Sequence, residues 1–291
     1  MWRMARIFKV SQKDILVSPA EVPPPDANIG TRLAHVQARV SAACQRSGRR
    51  PDSVTILAVT KTFSSLFVRK AYALGLSQIG ENRVQEIIDK FGDGSLLRAC
   101  PGLQLHLVGH LQTNKVRKAL QSVATIDSVD SLRLAQIVDR EAAQMGRRVR
   151  VLLEVNTSGE PQKYGLAPDE LVPCAEAVAK LTSLDLRGLM TVGPLVEDAD
   201  AVRRSFALLR NLFERVQQKL NSPQWSVLSM GMSGDFETAI EEGATEIRLG
   251  TVLFGERSEP RVFRRWIFPS MNSRALCAAT IRPKCRPFWS G

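Results

Sequence analysis

Val54-Thr55-Ile56-Leu57-Ala58-Val59-Thr60 is a short apolar run rich in β-branched residues, and it stops at Lys61. Such a run reads as a buried strand with a polar side chain at its C-terminal end. The same grammar recurs along the chain. Gln78-Ile79-Gly80 stops at Glu81-Asn82, and Leu103-Gln104-Leu105-His106-Leu107-Val108 stops at Gly109-His110. Ser226-Val227-Leu228-Ser229-Met230 leads into Gly231-Met232-Ser233-Gly234-Asp235, and Thr245-Glu246-Ile247 into Arg248-Leu249-Gly250-Thr251. Strands are expected at 54–60, 77–80, 103–108, 123–126, 149–155, 184–190, 225–230 and 247–249, the last with a short extension at 252–254.

Helical periodicity fills the gaps, for example at 66–74, 131–145, 168–181, 199–220 and 235–242. A further amphipathic helix precedes the first strand. In it Ile29, Leu33, Val36, Val40 and Ala43 recur at intervals of three and four, and Gly48 and Pro51 end it. Strands alternating with helices imply a parallel sheet, and eight strands is the number that closes a (β/α)8 barrel. A doubly wound open sheet is the alternative. Its dinucleotide-binding form lacks support, since no G-x-G-x-x-G follows the first strand.

Composition narrows the class. The 291 residues are 44% hydrophobic and 24% charged, as expected of a soluble globular protein. No apolar run approaches the roughly 20 residues that span a bilayer. The net charge is +11, but from Glu256 onward eight Lys/Arg face two Asp/Glu, so much of the excess sits in a short tail. The rest has no basic stripe with interleaved aromatics, so neither a nucleic-acid nor a membrane partner is expected. The five cysteines are odd in number and lack C-x-x-C spacing, which argues against a disulfide framework or a zinc site and fits a reducing cytoplasm. Residues 1–27 read as an irregular leader, 28–257 as the barrel, and 258–291 as a poorly ordered basic tail. Were the source eukaryotic, a mitochondrial presequence would be the other reading of the leader.

In a barrel, residues at the C-terminal ends of strands share one mouth. Lys61 would stand there in a partly desolvated setting, where a lowered pKa favours a neutral, nucleophilic amine; the competing reading is a surface lysine. Ser233-Gly234 and Gly250-Thr251 form two small-residue turns after the last two strands, where barrels often hold phosphate. Arg248 suits a phosphate or a ring nitrogen, or else an internal ion pair with Glu81 or Glu154. His106 reads as a hydrogen-bonded wall residue, without an acidic partner at metal-ligand spacing. Asn82 and Asn156 are candidates for ligand contact or for turn capping. Met230 and Met232 are expected to line a pocket. No metal site is expected.

Together these segments resemble the pyridoxal phosphate homeostasis family, single-domain relatives of the barrel half of alanine racemases. The matching stretches are A-V-T-K-T at 58–62, I-G-E-N-R-V-Q-E at 79–86, H-L-V-G-H-L-Q-T-N-K at 106–115, I-D-S-V-D at 126–130, E-V-N-T-S-G-E at 154–160, G-L-M-T at 188–191, L-S-M-G-M-S-G-D-F at 228–236 and R-L-G-T-V-L-F-G-E-R at 248–257.

The resemblance implies a TIM-like barrel of the alanine-racemase N-terminal type (fold type III among pyridoxal phosphate proteins) with an added N-terminal helix. It implies that Lys61 is the Schiff-base lysine for pyridoxal 5'-phosphate. It also implies that Ser233, Gly250 and Thr251 hold the phosphate, that Arg248 contacts phosphate or ring nitrogen, and that Asn82 lies beside the ring. It further implies a monomeric carrier that buffers the cofactor and hands it to acceptor enzymes, without robust turnover. A weakly active amino-acid racemase is the alternative, with Tyr164 as the tyrosine closest to the mouth. A nucleic-acid or partner-binding role for the tail is a third. The sequence departs from the family pattern in its leader and in its tail.

Overall fold

The computed structural model describes residues 28–196 and 198–256. The expectations for the leader and the tail lie outside these residues, as do Cys277 and Cys285.

Eight parallel strands close into a barrel in sequence order: β1 (Thr55–Val59), β2 (Gln78–Glu81), β3 (Gln104–Leu107), β4 (Thr125–Val129), β5 (Val149–Glu154), β6 (Leu184–Met190), β7 (Val227–Ser229) and β8 (Glu246–Leu249). Closure is direct. β1 pairs with β8, with Thr55 opposite Glu246 and Leu57 opposite Arg248. The open-sheet alternative is therefore excluded.

Among the described residues ten α-helices accompany the strands: α1 (Ile29–Arg46), α2 (Ser65–Ala73), α3 (Val84–Phe91), α4 (Ser95–Ala99), α5 (Val116–Ala119), α6 (Leu132–Gln144), α7 (Leu171–Val178), α8 (Ala199–Leu220), α9 (Phe236–Glu241) and α10 (Thr251–Phe254). α1 starts where Asn28 caps it, its side chain accepting from the Thr31 amide at 3.0 Å. It packs against α9 and α10 through Leu33, Val36, Val40 and Ala43. Arg39–Glu237 and Arg46–Glu241 ion pairs, together with Arg49 on the Ile240 carbonyl, fasten it laterally.

One strand expectation is corrected. Residues 252–254 do not extend β8. The amides of Leu253 and Phe254 both donate to the Gly250 carbonyl, coiling the chain into α10. Phe254 then packs against Phe63 and Phe67, and this aromatic cluster outweighs the local β-propensity of Val252. The helix expected at 168–181 is shorter, with Pro173 in its first turn where its missing N–H costs nothing.

The strands bury nearly all their apolar side chains, including Leu57, Ile79, Leu105, Ile126, Val151, Leu189 and Ile247. Cys44, Cys100 and Cys174 are buried free thiols. No helix of the described residues is long and apolar enough to cross a membrane.

Candidate functional site

The six residues singled out as cofactor contacts converge. Lys61, Asn82, Ser233, Arg248, Gly250 and Thr251 line one cavity of about 370 Å³, together with Val59, Val108, Val192, Met232 and Gly234. They follow or end β1, β2, β7 and β8, so the cavity lies at the C-terminal mouth of the barrel. Val59, Val108 and Val192 supply apolar wall and the named polar groups the rest of the lining, as small-molecule sites are built.

Lys61 is half-buried and its backbone is held on both sides. Before it, the Thr60 carbonyl accepts from Lys90 Nζ at 2.8 Å, and Thr60 Oγ1 donates to Glu81 Oε1 at 2.6 Å. After it, the Thr62 amide donates to Glu86 Oε2 at 2.6 Å. Thr62 has φ of +68°, a conformation that a β-branched residue adopts only under constraint. Lys90 and Glu86 both come from α3, and Lys90 also bonds Glu81 Oε1 at 2.8 Å. Burial pushes the Glu81 carboxyl up, against the pull of Lys90 and Thr60. Sequence spacing alone does not reveal this clamp, in which Glu81 faces Lys90 and not Arg248. The α3 sequence does carry a signal: Val84, Ile87 and Phe91 form its buried stripe, which leaves Glu86 and Lys90 on the flank.

Arg248 is 5% exposed. It does not form the ion pair proposed with Glu81, which is engaged by Lys90. It makes no salt bridge with Glu154 either. Instead Nη1 donates to Ser229 Oγ at 2.8 Å and Nη2 to the Thr191 carbonyl at 2.5 Å. Burial draws its pKa down, opposed by the field of Glu246, Asp127, Glu154 and Asp235.

The two small-residue turns face one another across the cavity edge, joined where the Val252 amide donates to Ser233 Oγ at 3.3 Å. The amides of Ser233, Gly234 and Thr251 donate to no acceptor among the described residues. Gly231 shapes the first turn. It has φ of +92°, and a Cβ there would stand 2.5 Å from that of Ala239.

Other candidates lie elsewhere. Asn156 organises its own loop, donating to the Glu160 carbonyl at 2.8 Å and accepting from Ser158 and Gly159, and it is not on the cavity wall. Met232 lines the cavity, whereas Met230 is fully buried in the core. His110 pairs with Asp130 at 2.9 Å and stacks on Tyr164 with ring centroids 3.8 Å apart. His106 is buried and hydrogen-bonded as expected, but it does have acidic neighbours. Asp127 and Glu246, from β4 and β8, bring side-chain atoms within 4.8 Å of it and of each other. Sequence spacing hides this cluster because its members come from three strands.

The donor set fits an anionic aldehyde: a primary amine, a guanidinium, two hydroxyls and unpaired amides around a space of cofactor size. The family model for the alanine racemase N-terminal domain matches residues 31–258. The chain is 40% identical to the pyridoxal phosphate homeostasis protein of Aquifex aeolicus over 230 residues, 79% of this chain and 99% of that one. It is 38% identical to the human protein of the same name over 241 residues, 80% and 88% of the two chains. The solved structure of PipY from Synechococcus elongatus with pyridoxal phosphate bound matches at 39% identity and a TM-score of 0.68, covering 78% of this chain and all of that one. The chain therefore belongs to the family of the pyridoxal phosphate homeostasis proteins, barrels of the alanine racemase N-terminal type.

Proposed function

We propose that the chain binds pyridoxal 5'-phosphate at this mouth and serves to hold and release it in vitamin B6 homeostasis. The observation that carries the reading is the convergence of Lys61, Arg248, Ser233 and Thr251 on one cavity. When bound, the cofactor supplies an aldehyde that condenses with a primary amine. Lys61 is the amine of the cavity lining, and its clamped backbone limits where Nζ can reach. Ser233, Thr251 and the adjoining unpaired amides hold the phosphate as neutral donors converging on an anion. Arg248 carries the positive charge at the cavity floor, held there by Ser229 and Thr191.

A carrier role, with delivery to acceptor enzymes, is favoured over an enzymatic one. Racemisation needs a second acid/base on the opposite ring face. Tyr164, the candidate for it, is stacked on His110, 58% exposed, and not among the residues lining the cavity. Tyr72 is committed elsewhere, its hydroxyl donating to the Pro101 carbonyl at 2.7 Å.

The test is the absorbance spectrum of the full-length protein with added pyridoxal phosphate, before and after borohydride, beside that of Lys61→Ala. A visible band that reduction fixes and the variant lacks is the expected result. Identical spectra for the two proteins would refute the assignment of Lys61.

A further inference from the structure

Beneath the cavity floor the barrel interior holds an unusual amount of charge. Glu246, Asp127 and Arg248 are buried, and His106 lies among them. These groups form one connected path. Arg248 Nη1 donates to Ser229 Oγ, and Ser229 is the register partner of Glu246 across β7 and β8. Glu246 and Asp127 oppose each other electrostatically. His106 Nδ1 lies 3.1 Å from both carboxylate oxygens of Asp127, and Nε2 lies 2.9 Å from Gln78 Oε1. Gln78 opens β2 and Glu246 opens β8, so the path descends from the cavity to the N-terminal end of the barrel.

The ring sits against a buried carboxylate on one side and an amide on the other. His106 Nδ1 donates to Asp127, and the imidazolium donates to Gln78 Oε1 as well, whereas a neutral ring needs the Gln78 amide turned to donate to Nε2. Charge balance favours the imidazolium: two buried carboxylates against one guanidinium leave an excess of negative charge that the interior cannot solvate. Glu246 Oε1 has no hydrogen-bond partner among the described residues, and burial and then Asp127 push its carboxyl up, with the charge of His106 the first to oppose them. A metal ion shared by the same three side chains would have to displace the hydrogen bond between His106 and Asp127, and Arg248 already supplies a cation.

We propose that His106 is a positioning residue for Arg248: as an imidazolium it neutralises Asp127, which lets Glu246 stay ionised and hold the guanidinium electrostatically at the floor of the cofactor cavity. The groups facing the ring are Asp127 on β4, Glu246 on β8, Gln78 on β2 and, more weakly, Arg150 on β5. Burial works against the charged ring, yet Asp127 and Glu246 outweigh it and hold its pKa above the ordinary value. The sign is that of a raised histidine: the stabilisation is complete at acidic pH and is lost only as pH rises through the elevated pKa.

The inference rests on reading the cavity as the cofactor site, and its test separates the two. The chain has three histidines, so ring nitrogen-15 spectra of the full-length protein can be assigned with His35→Gln and His110→Gln. At about pH 7.5 an ordinary imidazole is mostly neutral; His106 is expected to show both nitrogens protonated. A neutral tautomer overturns the proposal whatever the protein binds.

Pyridoxal phosphate titration forms the second arm. His106→Gln is expected to weaken binding about tenfold, the scale of one charge-assisted contact. The charge-balanced His106→Gln/Asp127→Asn pair, which leaves Glu246 opposite Arg248, should recover most of that loss. A folded His106→Gln with wild-type affinity, or a folded pair no better than the single variant, overturns the proposal. If His106→Gln does not fold, the pair decides: wild-type-like binding supports charge balance, and weak binding or failure to fold refutes it. A wild type that binds no cofactor would refute the function and leave the ring spectrum to report on the charge network.

Discussion

Gly109 and Asn82 are in contact so close that no side chain fits between them: a Cβ on Gly109 would stand 2.2 Å from the Asn82 carbonyl and 2.6 Å from its Oδ1. The end of β3 thus presses directly on the residue that ends the β2 turn. Ser128 Oγ donates to the Gly109 carbonyl at 2.7 Å and holds it there. Gly109→Ala should therefore push Asn82 off the cavity wall, at a cost of about 1–3 kcal/mol typical of overpacking. Cofactor affinity should fall with it. A thermal melt and a pyridoxal phosphate titration check this; unchanged binding would mean that Asn82 does not contact the cofactor.

Ser233 contributes a hydroxyl at the proposed phosphate end. Ser233→Ala should weaken pyridoxal phosphate binding by roughly threefold to tenfold, the range of one neutral hydrogen bond. Pyridoxal, which lacks the phosphate, should bind the variant and the wild type alike. Equal losses for both ligands would place Ser233 elsewhere on the cofactor.

Lys90 is the counter-charge of Glu81, whose side chain is fully buried. Lys90→Ala leaves that carboxyl alone, and removing one partner of a buried pair costs about 3 kcal/mol or more. Uptake of a proton by Glu81, whose pKa burial already raises, limits the loss. Urea unfolding should show the destabilisation, and the Glu81→Gln/Lys90→Met pair should recover part of it. The carbonyl before Lys61 also loses its donor, so cofactor capture should slow in the single variant.

Thr62 stores strain at φ of +68° beside Lys61. Thr62→Gly removes the clash but adds freedom to the unfolded chain, so stability should hold or rise by up to about 1 kcal/mol. Its backbone bond to Glu86 remains available. The loosened turn should slow covalent capture by Lys61 severalfold, a trade of stability against function. Melting temperature and the rate of appearance of the visible band report the two halves separately.

Glu154 ends β5 with Oε2 buried and without a hydrogen-bond partner among the described residues. Burial first, and Asp130 second, push its carboxyl from 4.5 up to about 7. The folded state therefore holds a proton that the unfolded state releases. Stability should fall as pH rises from about 4.5 to about 7, by around 3 kcal/mol in the limit of full burial. Glu154→Gln should remove this slope. The two proteins should melt alike near pH 5, and the variant should melt higher near pH 8; parallel curves would refute the assignment.

Much of the barrel is legible in linear order because its signals are local. Apolar, β-branched runs placed all eight strands, and β6 and α8 have the bounds that periodicity indicated. The cavity lining was legible for a related reason. In a parallel barrel every strand end points to the same mouth, so Lys61, Asn82, Ser233, Arg248, Gly250 and Thr251 could be brought together before any contact was known. Local signals failed at 252–254, where β-forming residues coil because Phe254 gains more from Phe63 and Phe67 than from a ladder.

The partners of those side chains were settled only by closure of the sheet. Arg248 was open to Glu81 or Glu154, and it took Ser229 and the Thr191 carbonyl, because β7 and the end of β6 lie within hydrogen-bond reach of it. His106, Asp127 and Glu246 lie on three strands and meet only inside the barrel. The α3 clamp on Lys61 likewise spans 24 residues of sequence between Thr62 and Glu86. Spacing along a chain specifies period and direction; which charges neutralise one another is a property of the enclosed, poorly solvated interior, where every buried ion must find a partner among residues brought there by the fold.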